Sequence, residues 1–132
     1  MKKFGLSKKE RIKSKKDFQL IYSAGETLLS SSQKLKAVFI IQNNSEMSEI
    51  KTAFAVSRKC GNAVWRNRVK RLLKESFRLN KEILTNKVHD KGINLKLVFS
   101  PYNFNQKKMP KIYLSEIMPS VVELMNMIEK KL

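Results

Sequence analysis

The chain has 132 residues, enough for one compact domain and too few for two. It carries 28 Lys and Arg against 11 Asp and Glu, a formal charge of +17, with 42% apolar residues. That apolar fraction supplies a core and argues against wholesale disorder. So large a charge repels itself unless a polyanion neutralises it, which leaves nucleic acid, an anionic membrane surface or an acidic protein as partners.

The expected organisation is a single domain over residues 1–132. Residues 1–13 form a basic arm: Lys2, Lys3, Lys8, Lys9, Arg11 and Lys13 stand against one acid, Glu10. A block of this kind is mobile until it meets an anion. Ser14 reads as a helix N-cap with Asp17 at the capping-box position. Phe18, Ile21 and Tyr22 follow at helical spacing, and Gly25 ends a helix over about 15–24. Residues 35–41 (Leu35, Ala37, Val38, Phe39, Ile40, Ile41) read as a strand, and Gln42–Glu46 as a turn. Over 51–57, Thr52, Phe54 and Val56 share one face and Ala53, Ala55 and Ser57 the other, a second strand. An antiparallel hairpin between these two strands is the expected pairing.

From Asn62 to about Leu84 the period changes to 3.6. Trp65, Val69, Leu72, Leu73, Ser76 and Phe77 make one stripe; Arg66, Asn67, Lys70, Arg71, Lys74 and Arg78 lie opposite. Asn62 is a good N-cap residue, and Gly61 before it gives the backbone freedom for a tight entry. Lys91-Gly92 ends a loop, Ile93–Phe99 is a third strand stopped by Pro101, and residues 102–114 have no clear period. From Ser115 a last helix carries Ile117, Val121, Leu124, Met125, Ile128 and Leu132 on one stripe, with Pro119 blurring its start. Helices layered on a sheet in an α+β arrangement follow.

Several chemistries are set aside by the same residues. The apolar run Ala37–Ile41 is far short of the roughly 20 residues that span a bilayer. Lys2 and Lys3 have no apolar stretch behind them, so no secretory signal is expected. Cys60 is the sole cysteine, which excludes an internal disulfide and fits a reducing, cytoplasmic setting. Cys60 and the sole histidine, His89, make no zinc site without converging carboxylates, and no motif orients them as a catalytic pair. His89 reads as a solvated loop residue.

The basic charge is concentrated. Segments 1–20 and 58–78 hold 16 of the 28 basic residues and three acids. Burial of the apolar stripe holds the basic face of the 62–84 helix outward, with groups about 5–6 Å apart at i, i+3 and i+4, a ladder that matches repeating phosphates. A merely solvated face interleaves acids; here Glu75 stands alone, at the flank beside Arg68 and Arg71.

The string Arg58-Lys59-Cys60-Gly61-Asn62-Ala63-Val64-Trp65-Arg66-Asn67-Arg68-Val69-Lys70-Arg71 resembles the signature of the protein subunit of bacterial ribonuclease P. Upstream, Leu6–Ile12 followed by Lys16-Asp17-Phe18, Tyr22 and Gly25 is similar to that family's opening helix. The resemblance implies a small α/β sandwich: a central sheet of about four strands, helices packed on it, and a left-handed βαβ crossover against the usual preference. It implies a protein component that assists endonucleolytic removal of the 5′ leader of precursor transfer RNA. The partners would be the catalytic RNA subunit and precursor transfer RNA, with Mg²⁺ held by the RNA and substrate rather than by a protein site. No membrane and no obligate protein partner are expected.

Carried over residue by residue, contact with the RNA subunit falls on Arg58, Lys59, Asn62, Arg66, Asn67, Arg68, Lys70, Arg71 and Lys74. Arg68, toward the core flank, has an alternative structural role in pairing with Glu75. Leader contact falls on Phe18 and Tyr22. Ile40 stands where the family frequently has an aromatic, which thins the stacking platform. No catalytic residue is expected in the protein, since no pair of acids is placed to hold two metals and no His-based acid/base set exists. A ribosome-associated RNA-binding protein would carry the same charge. A stand-alone nuclease would need the missing acids, and a DNA-binding module would need a helix-turn-helix pairing that does not precede the basic helix.

Overall fold

A computed structural model of the chain describes residues 11–43 and 48–132. Most of the expected basic arm and part of the 42–46 turn therefore lie outside the described residues. Where the arm ends, Ile12 is buried and its N–H donates to the Thr52 carbonyl at 3.0 Å, so residues 11–12 are pinned along a strand edge.

Helix α1 covers Lys15–Ala24, and the Ser14 hydroxyl caps it by accepting from the Lys16 N–H. Asp17 does not close a capping box. Its carboxylate accepts from the Lys96 ammonium at 3.0 Å, tying the helix to the sheet across 79 residues of sequence. The strands are β1 Glu26–Leu29, β2 Leu35–Gln42, β3 Glu49–Phe54 and β4 Asn94–Pro101, in the order β1-β2-β4-β3. The remaining helices are α2 Ala63–Asn80, α3 Glu82–Lys91 and α4 Leu114–Lys131.

The expected hairpin between 35–41 and 51–57 does not form. β4 lies between those two strands, antiparallel to β2 (Val38 opposite Val98) and parallel to β3 (Ala53 opposite Val98). The physical reason is burial. β4 is the most deeply buried strand, covered on both faces, so it takes the place between β2 and β3, and the 63–91 helices supply the long connection that a parallel neighbour needs. β1, four residues long, escaped the sequence reading because so short a strand shows no clear period. It pairs antiparallel to β2.

The helix read from Asn62 to Leu84 is two helices. α2 stops at Asn80, whose side-chain amide donates to the Ser76 carbonyl, and α3 starts after Lys81. His89 accordingly lies in the last turn of a helix rather than in a loop. α3 ends at Gly92, which takes φ 62°, the left-handed cap conformation that glycine adopts without a Cβ clash.

Two apolar clusters sandwich the sheet. Leu35, Ala37, Phe39, Leu95, Leu97 and Phe99 face α2, α3 and α4, burying Trp65, Val69, Leu73, Phe77, Leu124 and Met125 with them. On the other face a smaller set, Ile12, Ile21, Val38 and Val98, packs with Phe18, Ile40, Ala53 and Ala55 under α1 alone. The period-2 reading of 51–57 therefore holds: Phe54 and Val56 enter the large core, Ala53 and Ala55 the small one. Among the described residues α1 is the one helix over this face, and much of the four-stranded face is left open by them.

Candidate nucleic-acid interface

The interface begins at the crossover from β3 into α2. Ser57 opens a single 3-10 turn over Arg58–Cys60, its hydroxyl accepting from the Lys59 N–H at 3.1 Å; Arg58 and Lys59 stand exposed on that turn. The Asn62 side-chain oxygen accepts from the Trp65 N–H at 2.9 Å, the expected N-cap. Gln106 holds the turn from outside: its N–H donates to the Cys60 carbonyl at 2.7 Å and its side-chain oxygen accepts from the Asn62 N–H at 2.9 Å. Gln106 lies in the 102–113 segment, where no periodic pattern marks it.

Gly61 serves a different purpose from the one its sequence position implied. Its φ of 170° is extended backbone open to any residue. What it lacks is room: a Cβ there would meet Gln106 Cβ and the Trp65 ring at 2.8 Å. Trp65 is the anchor beneath, buried against Phe104 and donating its indole N–H to the Met109 carbonyl at 2.9 Å.

At about 100° per residue, the cationic residues of α2, with Asn67 among them, fan over three directions. Asn67 and Arg71 point outward and are exposed. Arg66 is half-buried, its Nε donating to the Gly61 carbonyl at 3.1 Å, which braces the entry turn as well as presenting charge. Lys70 and half-buried Lys74 lie on the side of α2 nearest the small-cluster face of the sheet. Arg68 lies on the other flank, and its Nε donates to the Ile112 carbonyl at 2.9 Å. The structural role foreseen for Arg68 is thus real but the partner differs. Glu75 pairs with Arg78 instead, with Arg78 Nε to Glu75 Oε2 at 3.0 Å. The Arg78 hydrogen bond lowers the Glu75 carboxyl pKa, partly opposed by desolvation and aided by the Arg78 charge. That pairing neutralises the one acid of α2 and leaves the rest of its polar face cationic.

Phe18 and Tyr22 share a face of α1, as their spacing requires, with ring centroids 6.5 Å apart and planes 18° apart. Phe18 packs on the small cluster, whereas Tyr22 is 50% exposed. Desolvation raises the Tyr22 phenol pKa, so the ring stays neutral at physiological pH. Ile40 is half-buried in the same cluster and offers no ring.

Two cavities join the aromatic and the cationic residues. One, about 650 Å³, is lined by Tyr22 and Lys70 together with Lys36, Cys60 and Tyr102. The other, about 320 Å³, is lined by Phe18 and Lys74 with Arg11 and Phe54. Each aromatic of α1 therefore faces one lysine of α2 across a groove, and the two lysines are one helical turn, about 6 Å, apart. The sequence placed these residues on two separate helices; only the packing brings them to one groove. Among the described residues, no group of three or more His, Cys, Asp or Glu is placed to hold a metal ion, and no helix is long and apolar enough to cross a membrane.

A mixed four-stranded sheet with one helix on one face, three on the other, and a cationic crossover helix defines a small basic α+β domain. The chain belongs to the Ribonuclease P family, whose model matches residues 6–110. It is similar to the ribonuclease P protein components of Alkaliphilus metalliredigens (44% identical over 70 residues, 53% of this chain and 59% of that one) and Macrococcus caseolyticus (43% over 79 residues, 58% and 64%). The matched segment thus spans about three-fifths of these relatives' length. A solved structure of the RNase P protein from Staphylococcus aureus is 26% identical, with a TM-score of 0.66 over 94% of this chain and 92% of that one. The Thermotoga maritima RNase P protein, at 24% identity, shares the fold with a TM-score of 0.66 over 89% and 96%.

Proposed function

We propose that this chain is the protein component of a ribonuclease P ribonucleoprotein. The outward cations of α2 and of the Arg58–Cys60 turn hold the RNA subunit, and the groove between α1, the open sheet face and α2 holds the single-stranded 5′ leader of precursor transfer RNA. The RNA subunit performs the phosphodiester hydrolysis. In this reading the Mg²⁺ ions belong to the RNA and the substrate. The observation that carries the proposal is the meeting of an acid-poor cationic helix with an aromatic groove, Tyr22 facing Lys70 and Phe18 facing Lys74. Single-stranded RNA is bound by this combination: cations follow the phosphates and rings take the bases.

The test is reconstitution. Added to a bacterial ribonuclease P RNA at low Mg²⁺, the protein should restore cleavage of precursor transfer RNA at the 5′ end, while protein with Mg²⁺ alone leaves precursor intact. If six to ten phosphates are neutralised, affinity for the RNA subunit should fall about 10³–10⁵-fold between roughly 50 and 200 mM salt. Cleavage by protein alone, or a log–log salt slope near one, would overturn the assignment.

A further inference from the structure

The 650 Å³ cavity holds more than the groove reading uses. Tyr102 also lines it, 55% exposed and as open as Tyr22. Tyr102 is not a loose loop residue. Its N–H donates to the Lys34 carbonyl at 2.8 Å and the Asn103 N–H to the Gln33 carbonyl at 3.0 Å, so the β2–β4 ladder runs on past its end and fixes the backbone from which the ring projects. The floor is Ser100, opposite Lys36 in the ladder and 8% exposed. Its hydroxyl has no hydrogen-bond partner among the described residues, which leaves it available to a ligand. The oxygen is covered, but a step between staggered χ1 wells turns a serine hydroxyl. Lys36 and Lys70 supply positive charge at the sides, and no acid is among the described lining residues.

We propose that this cavity is a binding site for one nucleotide of single-stranded RNA, with Tyr22 and Tyr102 as its two aromatic walls, Lys36 and Lys70 on its phosphates, and the Ser100 hydroxyl on the base edge. The site rests on the leader-binding reading and deepens it: the leader passes from the Phe18 end of the groove into a pocket that encloses one base. Tyr102 adds, from the end of β4, a second ring to the one that Tyr22 supplies from α1. A base held between two rings and hydrogen-bonded at its edge is read, whereas a base lying on one exposed ring is only stacked.

The experiment uses the holoenzyme reconstituted with its RNA subunit and a set of precursors in which one leader nucleotide at a time is made abasic. Tyr102→Ala should weaken leader-bearing precursor by about fivefold to a hundredfold, the equivalent of one lost stack. Tyr102→Phe should restore it, and mature transfer RNA should bind unchanged. The loss should vanish for a single abasic position, because that precursor has no base left to lose. Ser100→Ala should melt no lower than the parent, since it removes an unpartnered hydroxyl, yet lose affinity at that same position. Equal weakening of precursor and mature transfer RNA by Tyr102→Ala, or a loss that no abasic position abolishes, overturns the pocket. Unchanged affinity in Ser100→Ala overturns the base-edge contact. The underlying leader reading fails separately, if the parent holoenzyme binds leader-bearing and leaderless RNA alike.

Discussion

Replacing Phe77 with Ala tests whether α2 is divided between core and interface as its packing indicates. Phe77 is 1% exposed and sits between Phe54 (centroids 6.2 Å, 60°) and Phe99 (6.1 Å, 54°). Fully burying such a side chain is worth about 1.5–3 kcal/mol. The cavity left under a helix that is fixed to the sheet raises the cost of truncation to about 3–5 kcal/mol. Total stability for a domain of this kind is about 5–15 kcal/mol, so the variant should remain folded at room temperature but with much of its margin gone. At roughly 4 °C per kcal/mol in a chain of this size, the melting temperature should fall by about 12–20 °C. Urea titration should show a lower midpoint with an unchanged slope. The control is Arg71→Ala, on the exposed side of the same helix, which should shift the midpoint by less than about 0.5 kcal/mol while weakening RNA binding. Leu72, half-buried on the edge of the stripe, should cost less than Phe77. Equal destabilisation by Arg71→Ala and Phe77→Ala would refute the division of faces.

Two further variants probe the crossover. Gly61→Ala places a methyl 2.8 Å from Gln106 Cβ and the Trp65 ring. It should cost about 1–3 kcal/mol through overpacking and perturb the fluorescence of Trp65, the sole tryptophan; adding Gln106→Ala should recover part of the loss, and no recovery would locate the strain elsewhere. Glu75→Gln tests the ion pair that neutralises the acid of α2. The folded-state pKa of Glu75 is depressed below its ordinary 4.5, so its contribution is present above that value and lost as pH falls through the folded pKa. The parent should therefore exceed the variant slightly at pH 7 and low salt, with the gap closing in acid and in high salt; a gap that persists in both would mean that Glu75 acts through packing.

The sequence by itself determined α1, α4 and the two faces of α2, but not the break at Lys81 after which α3 begins. A helix is organised by residues three and four apart, so the Ser14 and Asn62 caps, the Trp65–Val69–Leu73–Phe77 stripe and the acid-poor face opposite are all local facts. The contiguous Arg58–Arg71 string was equally legible, because it lies on one turn and one helix. Strand pairing is not local. Whether residues 35–41 pair with 51–57 or with β4 is decided by which strand has both faces covered, and that depends on α1 lying on one side and α2, α3 and α4 on the other.

The site divides along the same line. Phe18, Tyr22, Lys70 and Lys74 were each visible as residue types at helical spacing. Their convergence on one groove exists only after α1 and α2 dock on either side of β3. Gln106, Ser100 and Tyr102 were not visible at all. Gln106 gains its role by reaching the Cys60–Asn62 turn from 44 residues away, and Ser100 and Tyr102 gain theirs from the far end of β4. The reason is physical: periodicity records which side of its own element a residue occupies, while a cavity is made by the sides that different elements turn toward one another.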